Sequence, residues 1–203
     1  MSSFSTHPPS LFFVDNPPFF INNNNNDSFR RITYYPDRPD NMAIFDSVRI
    51  EANKSLYPIL LSNGNKIDEG TVVITTDDNN DNDNDEVRHY ATWSDPYPKP
   101  SYLFCIVAGD LKSISSSYTT RPSGREVHLE VYSEPENVGK LGHALESLKK
   151  SMMWDEDNFG LEYDLDIYNI VAVSDFNMGA MEVRELFIMY SQREREREIF
   201  HAC

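Results

Sequence analysis

Asp164-Leu-Asp-Ile-Tyr-Asn-Ile-Val-Ala-Val-Ser174 runs directly into Asp175-Phe-Asn-Met-Gly-Ala-Met-Glu182. The first half is an apolar run rich in β-branched residues, which predicts a strand buried on at least one face. The second half breaks that run with Asn177 and Gly179, residue types that tolerate φ > 0 and let another backbone come close. Glu182 follows Ala180 and Met181. A strand edge offers free N–H and C=O groups, a glycine admits a partner backbone, and a carboxylate holds a cation. The stretch therefore suits a peptide binder. Composition alone favours a plainer reading of Glu182, a solvent-exposed acid at the start of a strand.

Immediately upstream the period is helical. Leu141, Ala144, Leu145, Leu148 and Met152 fall at i, i+3, i+4, i+7 and i+11, which predicts one buried helix face, with Gly160 as the stop. Burying the four large side chains is worth roughly 6–12 kcal/mol. Ordering about twenty backbone residues costs roughly 20–40 kcal/mol. Such a helix needs a sheet to lie on. The 166–173 strand is its expected partner, and an α/β unit is expected to begin near residue 136. His143 falls on the flank of this face.

From Phe29 to about Glu134 the pattern is one of short β-runs, at Arg31–Tyr35, Ala43–Glu51, Pro58–Ser62, Thr71–Thr76, Val87–Trp93, Tyr102–Val107 and Val127–Tyr132. Turn residues separate them at Pro36–Pro39, Asn63-Gly64 and Asp95-Pro96. This predicts an antiparallel β domain. Alternation in Glu126–Tyr132 makes the last run half-solvated and leaves His128 on its wet side. The acidic stretch Asp77–Glu86 is no calcium loop. An EF-hand beginning at Asp81 needs glycine sixth and glutamate twelfth, where Glu86 and Thr92 stand. A solvated hairpin insertion is expected there instead.

The chain has 203 residues, 39% of them hydrophobic and 12% aromatic, with a formal net charge of −15. That charge opposes nucleic acid and anionic membranes, so neither is an expected partner. Two cysteines, Cys105 in an apolar run and Cys203, form no disulfide framework or zinc cluster, which points to a reducing compartment. Leu11–Val14 is too short for a signal-peptide core, so a soluble, cytoplasmic protein is expected. Residues 1–28 are rich in Ser, Pro and Asn and read as a flexible lead-in.

Asn177-Met-Gly-Ala-Met-Glu182 resembles the Gly-Ala-Met-Glu-Asn exopeptidase motif of the aminopeptidase N family of zinc metallopeptidases. The similarity extends through Arg30–Asp40, Tyr57–Asn65, Pro100–Asp110 and Ser147–Asp164, about residues 29–182, and is nearest to the alanyl aminopeptidase subgroup. Several long blocks in the right order make it specific, where a lone Gly-Ala-Met-Glu is not. The resemblance implies an α+β fold, an antiparallel β domain followed by the start of a thermolysin-like α/β catalytic domain. The expected divisions are 1–28 lead-in, 29–135 partial N-terminal β domain, 136–191 start of the catalytic domain, and 192–203 charged tail.

The same resemblance implies that peptides with a free N-terminus are the partners. Glu182 would bind their α-ammonium, and the backbones of Gly179 and Ala180 would pair with the substrate strand. Met178, near the pocket for the first side chain, and Met181 complete the substrate-binding set. In the family, two histidines of an HExxH helix and a later glutamate hold zinc, because histidines at i and i+4 share one helix face. The five histidines here, 7, 89, 128, 143 and 201, begin no HExxH. Zinc is thus expected in full-length members and not in this chain. The chain is expected to be a truncated product, inactive alone.

Three departures accompany the match. Asn23–Asn26 stand where the family carries Gln-x-Glu-Ala, whose acid is a second amine anchor. Val183 and Glu185 replace a family asparagine and glycine. Arg193–Glu198 alternates in charge and resembles nothing in the family. A non-catalytic module that captures peptide N-termini, and a nonfunctional fragment with exposed sheet edges, are the alternative readings.

Overall fold

The computed structural model describes residues 10–14, 19–23, 38–74, 86–174, 180–183 and 186–190. Packing divides the chain into two compact units, Met1–Gly109 and Asp110–Cys203. The architecture is α+β, with one long helix among twelve strands described. No helix among the described residues is long and apolar enough to cross a membrane.

The first unit holds two sheets. One has β1 (Ser10–Val14), β3 (Met42–Asn53), β6 (Glu86–Pro100) and β5 (Asn65–Ile74), side by side in that order. The other has β2 (Phe19–Asn23), β7 (Cys105–Gly109) and β4 (Ile59–Ser62). All pairings are antiparallel except β1 on β3. In β3 the inward positions Val48, Ile50 and Ala52 are buried while their neighbours are half-exposed, the two-residue period of a strand with one apolar face. Asn63-Gly64 turns the chain from one sheet into the other. Gly64 has φ +86°, and a Cβ there would meet the Ser94 carbonyl oxygen at 2.1 Å, so only glycine fits. Asn63 accepts the Cys105 N–H (2.7 Å) and donates to the Leu103 carbonyl (3.3 Å), which fixes the start of β7. Cys105 is buried core.

Two expectations change here. Composition suggests a flexible lead-in over 1–28, yet Ser10–Val14 and Phe19–Asn23 each pair with a strand, because their aromatic and branched residues suit a sheet despite flanking asparagines. β5 begins at Asn65, ahead of the expected Thr71, since pairing with β6 extends it through polar residues. The expected Arg31–Tyr35 strand and most of the acidic 77–86 stretch lie outside the described residues.

The second unit is one five-stranded sheet, ordered β11 (Ala180–Val183), β12 (Leu186–Tyr190), β10 (Ile167–Val173), β9 (Glu126–Ser133) and β8 (Lys112–Thr119). β10 is parallel to both its neighbours, and β8–β9 and β11–β12 pair antiparallel. Val171 and Val173 are fully buried on one face of β10 and Ile170 is buried on the other, as a parallel strand with two covered faces requires. The helix α1 (Gly142–Phe159) buries Ala144, Leu145, Leu148 and Met152. With Leu141 these side chains close on Val127, Leu129, Val131 and Ile170. β9 thus supplies three of the buried seat residues and β10 one, Ile170, with Tyr168 packed beside it, rather than β10 being the main partner. The helix stops at Gly160 (φ 63°), whose N–H reaches the Glu156 carbonyl at 3.1 Å, while the Leu161 N–H reaches that of Asp155 at 3.4 Å. The Gly160 bond, from the first residue past the helix back to Glu156, is the 5→1 closure of an αL helix end.

The division at Gly109/Asp110 falls well before the 135/136 boundary suggested by the change of period. The physical reason is pairing across the helix: β9 hydrogen-bonds β10, so the β8–β9 hairpin shares a sheet with the strand that follows α1.

Candidate functional site

β10 ends at Val173, and Ser174 follows as its last described neighbour before residues 175–179, which lie outside the description. The chain returns as β11, the terminal strand in the order of its sheet. Its register against β12 is Ala180↔Met189, Met181↔Ile188, Glu182↔Phe187 and Val183↔Leu186. Glu182 therefore stands within a border strand, bonded to β12 on one side. Ala180 and Met181 share that strand. Met178 and Gly179, the other expected recognition residues, lie outside the described residues.

What holds the exit of β10 is a carboxylate forty residues earlier in the chain. Glu134 directly follows β9, and one of its oxygens accepts both the Ser174 N–H and the Ser174 hydroxyl, each at 2.7 Å. Its other oxygen lies 3.4 Å from Asn137 Nδ2 and from Ser133 Oγ. The Ser133 hydroxyl has one proton, and the Ala172 carbonyl at 2.8 Å is the nearer acceptor. Partial burial pushes the Glu134 pKa up, but the donors at Ser174, its own N–H and Asn137 outweigh it. Its carboxyl is held below the ordinary carboxylate value. Sequence reasoning misses this group. No spacing rule links an acid before a proline to a serine forty positions on.

A second polar cluster sits at the opposite ends of the same strands. The 120–125 turn meets the 162–166 segment where Arg125 donates to the Leu165 carbonyl (2.8 Å), to Asp166 (2.8 Å) and to the Tyr163 carbonyl. Ser123 donates to Glu162, and that bond, with Thr120 and Arg125, holds the Glu162 pKa low against slight desolvation. An open cleft of about 340 Å³ is lined by Ser123, Arg125, Glu162, Tyr163 and Asp164. Arg125 ties the two loops together through these bonds. The cleft also lies at the amino ends of the parallel strands, whereas ligands of open α/β sheets gather at the carboxyl ends. β11, Ser174 and Glu134 are the better candidates.

The described histidines are dispersed. His89 Nε2 lies 2.6 Å from the Tyr57 carbonyl, exposed His128 lies 3.3 Å from Glu130, and exposed His143 lies 3.5 Å from Ser147 Oγ. The last two occupy the surface positions expected of them.

Residues 143–194 match the peptidase family M1 domain. Aminopeptidase N of Escherichia coli is 51% identical over 166 residues, 82% of this chain and 18% of that protein. Aminopeptidase N of Haemophilus influenzae is 50% identical over the same span and the same shares. The chain belongs to the M1 peptidase family. The solved structure of Legionella pneumophila aminopeptidase A in complex with aspartic acid superposes with a TM-score of 0.70 at 35% identity, covering 85% of this chain and 19% of that one. This M1 chain spans about 18% of the length of the aminopeptidase N relatives it matches.

M1 aminopeptidases are in general zinc-dependent. Among the described residues of this chain, no three His, Cys, Asp or Glu side chains come together as a metal site. The donor set described here does not fit zinc.

Proposed function

We propose that this chain carries the part of an M1 aminopeptidase that recognises a peptide's free N-terminus. One observation carries the reading: Ala180–Val183 forms the border strand of its sheet, in a chain half identical to aminopeptidase N over most of its length. A border strand has unpaired N–H and C=O groups that an extended peptide can complete. Glu182, on that strand, is the anchor for the α-ammonium. Gly179 and Ala180 supply backbone to the incoming strand, and Met178 and Met181 flank its first side chain. The protein works in the cytoplasm and binds peptides.

Calorimetric titration with one short peptide, bearing a free or an acetylated N-terminus, tests the reading. Losing the ammonium partner of a desolvated carboxylate costs about 2–5 kcal/mol. Acetylation is therefore expected to weaken binding at least about tenfold, corresponding to 1.4 kcal/mol. Glu182→Gln is expected to erase the preference for the free amine. Equal affinity for the two peptides would overturn ammonium recognition and leave strand addition alone. No binding of either would overturn the whole proposal.

A further inference from the structure

We propose that Glu134 is a positioning residue for the recognition strand: its carboxylate clamps Ser174, the residue at which β10 releases the chain toward β11. The inference rests on the reading of β11 as a peptide-binding edge. It concerns a residue outside that strand and outside the aminopeptidase-like motif.

The geometry is that of a built clamp. One carboxylate oxygen takes two donors of a single residue, the N–H and the hydroxyl of Ser174, at 2.7 Å each. Both are charge-assisted bonds, which are short and about twice as strong as neutral ones. The N–H involved lies just past the last ladder position of β10, Val173↔Tyr190, so the carboxylate takes over where the sheet stops. Glu134 itself is pre-organised. It sits at φ −58°, ψ 150°, the extended conformation forced on a residue before proline, and the Asn137 N–H closes onto its carbonyl at 2.9 Å. Asn137 Nδ2 lies on the far side of the carboxylate.

The consequence follows from chain length. Ser174 is tied to Glu134, and Ala180 is tied to Met189 through the β11–β12 ladder. Five residues, 175–179, lie between the two ties. Releasing the first removes one of the two boundary conditions on where β11 begins. The α1 seat on β9 is made of the apolar side chains of Val127, Leu129 and Val131, and none of them takes part in the bonds of the Glu134 carboxylate.

Hydrogen exchange read by mass spectrometry on the full chain tests this, with Glu134→Ala, Glu134→Gln and Ser174→Ala. Glu134→Ala is expected to speed exchange at Ser174 and at the β12-bonded amides of β11 by tenfold or more, while α1 stays within twofold. Glu134→Gln keeps an acceptor oxygen and is expected to restore most of the protection. Ser174→Ala removes only the hydroxyl donor and is expected to fall between; it serves if Glu134→Ala does not fold. The affinity of Glu134→Ala for a free-amine peptide is expected to drop about tenfold, with the ratio of free to acetylated affinity unchanged. Unchanged β11 exchange in Glu134→Ala, or equal acceleration in α1, would overturn the clamp. If the native chain binds no peptide, the recognition reading fails, and exchange at β11 still decides the role of Glu134.

Discussion

Glu134 and Asn169 are two buried or half-buried polar side chains with opposite fates. Glu134 has donors on both oxygens, and its depressed pKa is a statement about stability. A carboxylate whose folded pKa lies below its ordinary value of 4.5 stabilises the fold above that value, and the contribution disappears as pH falls through the folded pKa. Native protein is therefore expected to exceed Glu134→Gln in unfolding free energy at pH 7. The gap should close on acidification below about 4.5, followed by urea melts at successive pH values; a pH-independent gap would contradict it. Asn169, 1% exposed on β10, finds a partner for neither end of its amide among the described residues. An unsatisfied buried polar group costs about 1–3 kcal/mol, whereas an apolar group of the same branching does not. Asn169→Leu is expected to raise stability by about 1 kcal/mol or more in urea unfolding, and a loss would show that the amide has a hidden partner. Neither residue advertises itself in the sequence. Asn169 interrupts an apolar run by one position, and Glu134 precedes a proline, so each reads locally as unremarkable.

The helix α1 was legible because its period, its apolar face and its stop all agree: Leu141 through Met152 lie on one side, and Gly160 closes it in the left-handed region. Agreement across local signals is what makes an element readable before any tertiary contact is known. The stop itself is testable. A Cβ on Gly160 meets nothing within 4 Å, so Gly160→Ala tests conformation rather than space. At φ 63° alanine is expected to cost about 1 kcal/mol, seen as a lower urea midpoint with unchanged slope. An unaltered midpoint would mean that the helix end relaxes freely. β8 is the converse case. Lys112–Thr119 is rich in serine, and only Ile114 and Tyr118 turn toward the α1 core, so period two is too thinly populated to register. The strand forms because β9 offers a ladder across the whole of it, from Lys112↔Ser133 to Thr119↔Glu126. Tertiary pairing overrides a weak local preference. β11 was half legible: the run breaks where a new strand must start, but its place at the border of the sheet depends on where β12 inserts.

Across the whole molecule, family membership was readable from long blocks in sequence order, while the limit between the units was not. A change from β to helical period marks where a helix begins, and a sheet can continue on both sides of it through a parallel pairing, as β9 and β10 do. Charge is the molecular property that sequence does report in full: 33 acids against 18 bases. Such an excess makes the folded state repel itself more than the expanded chain does, because folding brings like charges closer. Screening should relieve it. The Debye length falls from about 30 Å at 0.01 M salt to about 8 Å at 0.15 M. The unfolding temperature at pH 7 is accordingly expected to rise by about 3 °C or more over that range, since about 1 kcal/mol corresponds to 2–4 °C in a chain of this size. The rise should shrink near pH 4.5, where many carboxylates have taken up protons and the repulsion is already relieved. Acid thus acts in two directions, removing the Glu134 clamp while easing the overall repulsion. Salt separates them, because a clamp made of two bonds at 2.7 Å is far shorter than any of these screening lengths. A melting temperature that fell with salt at pH 7 would mean that attractive ion pairs, and not net charge, govern the electrostatics of this fold.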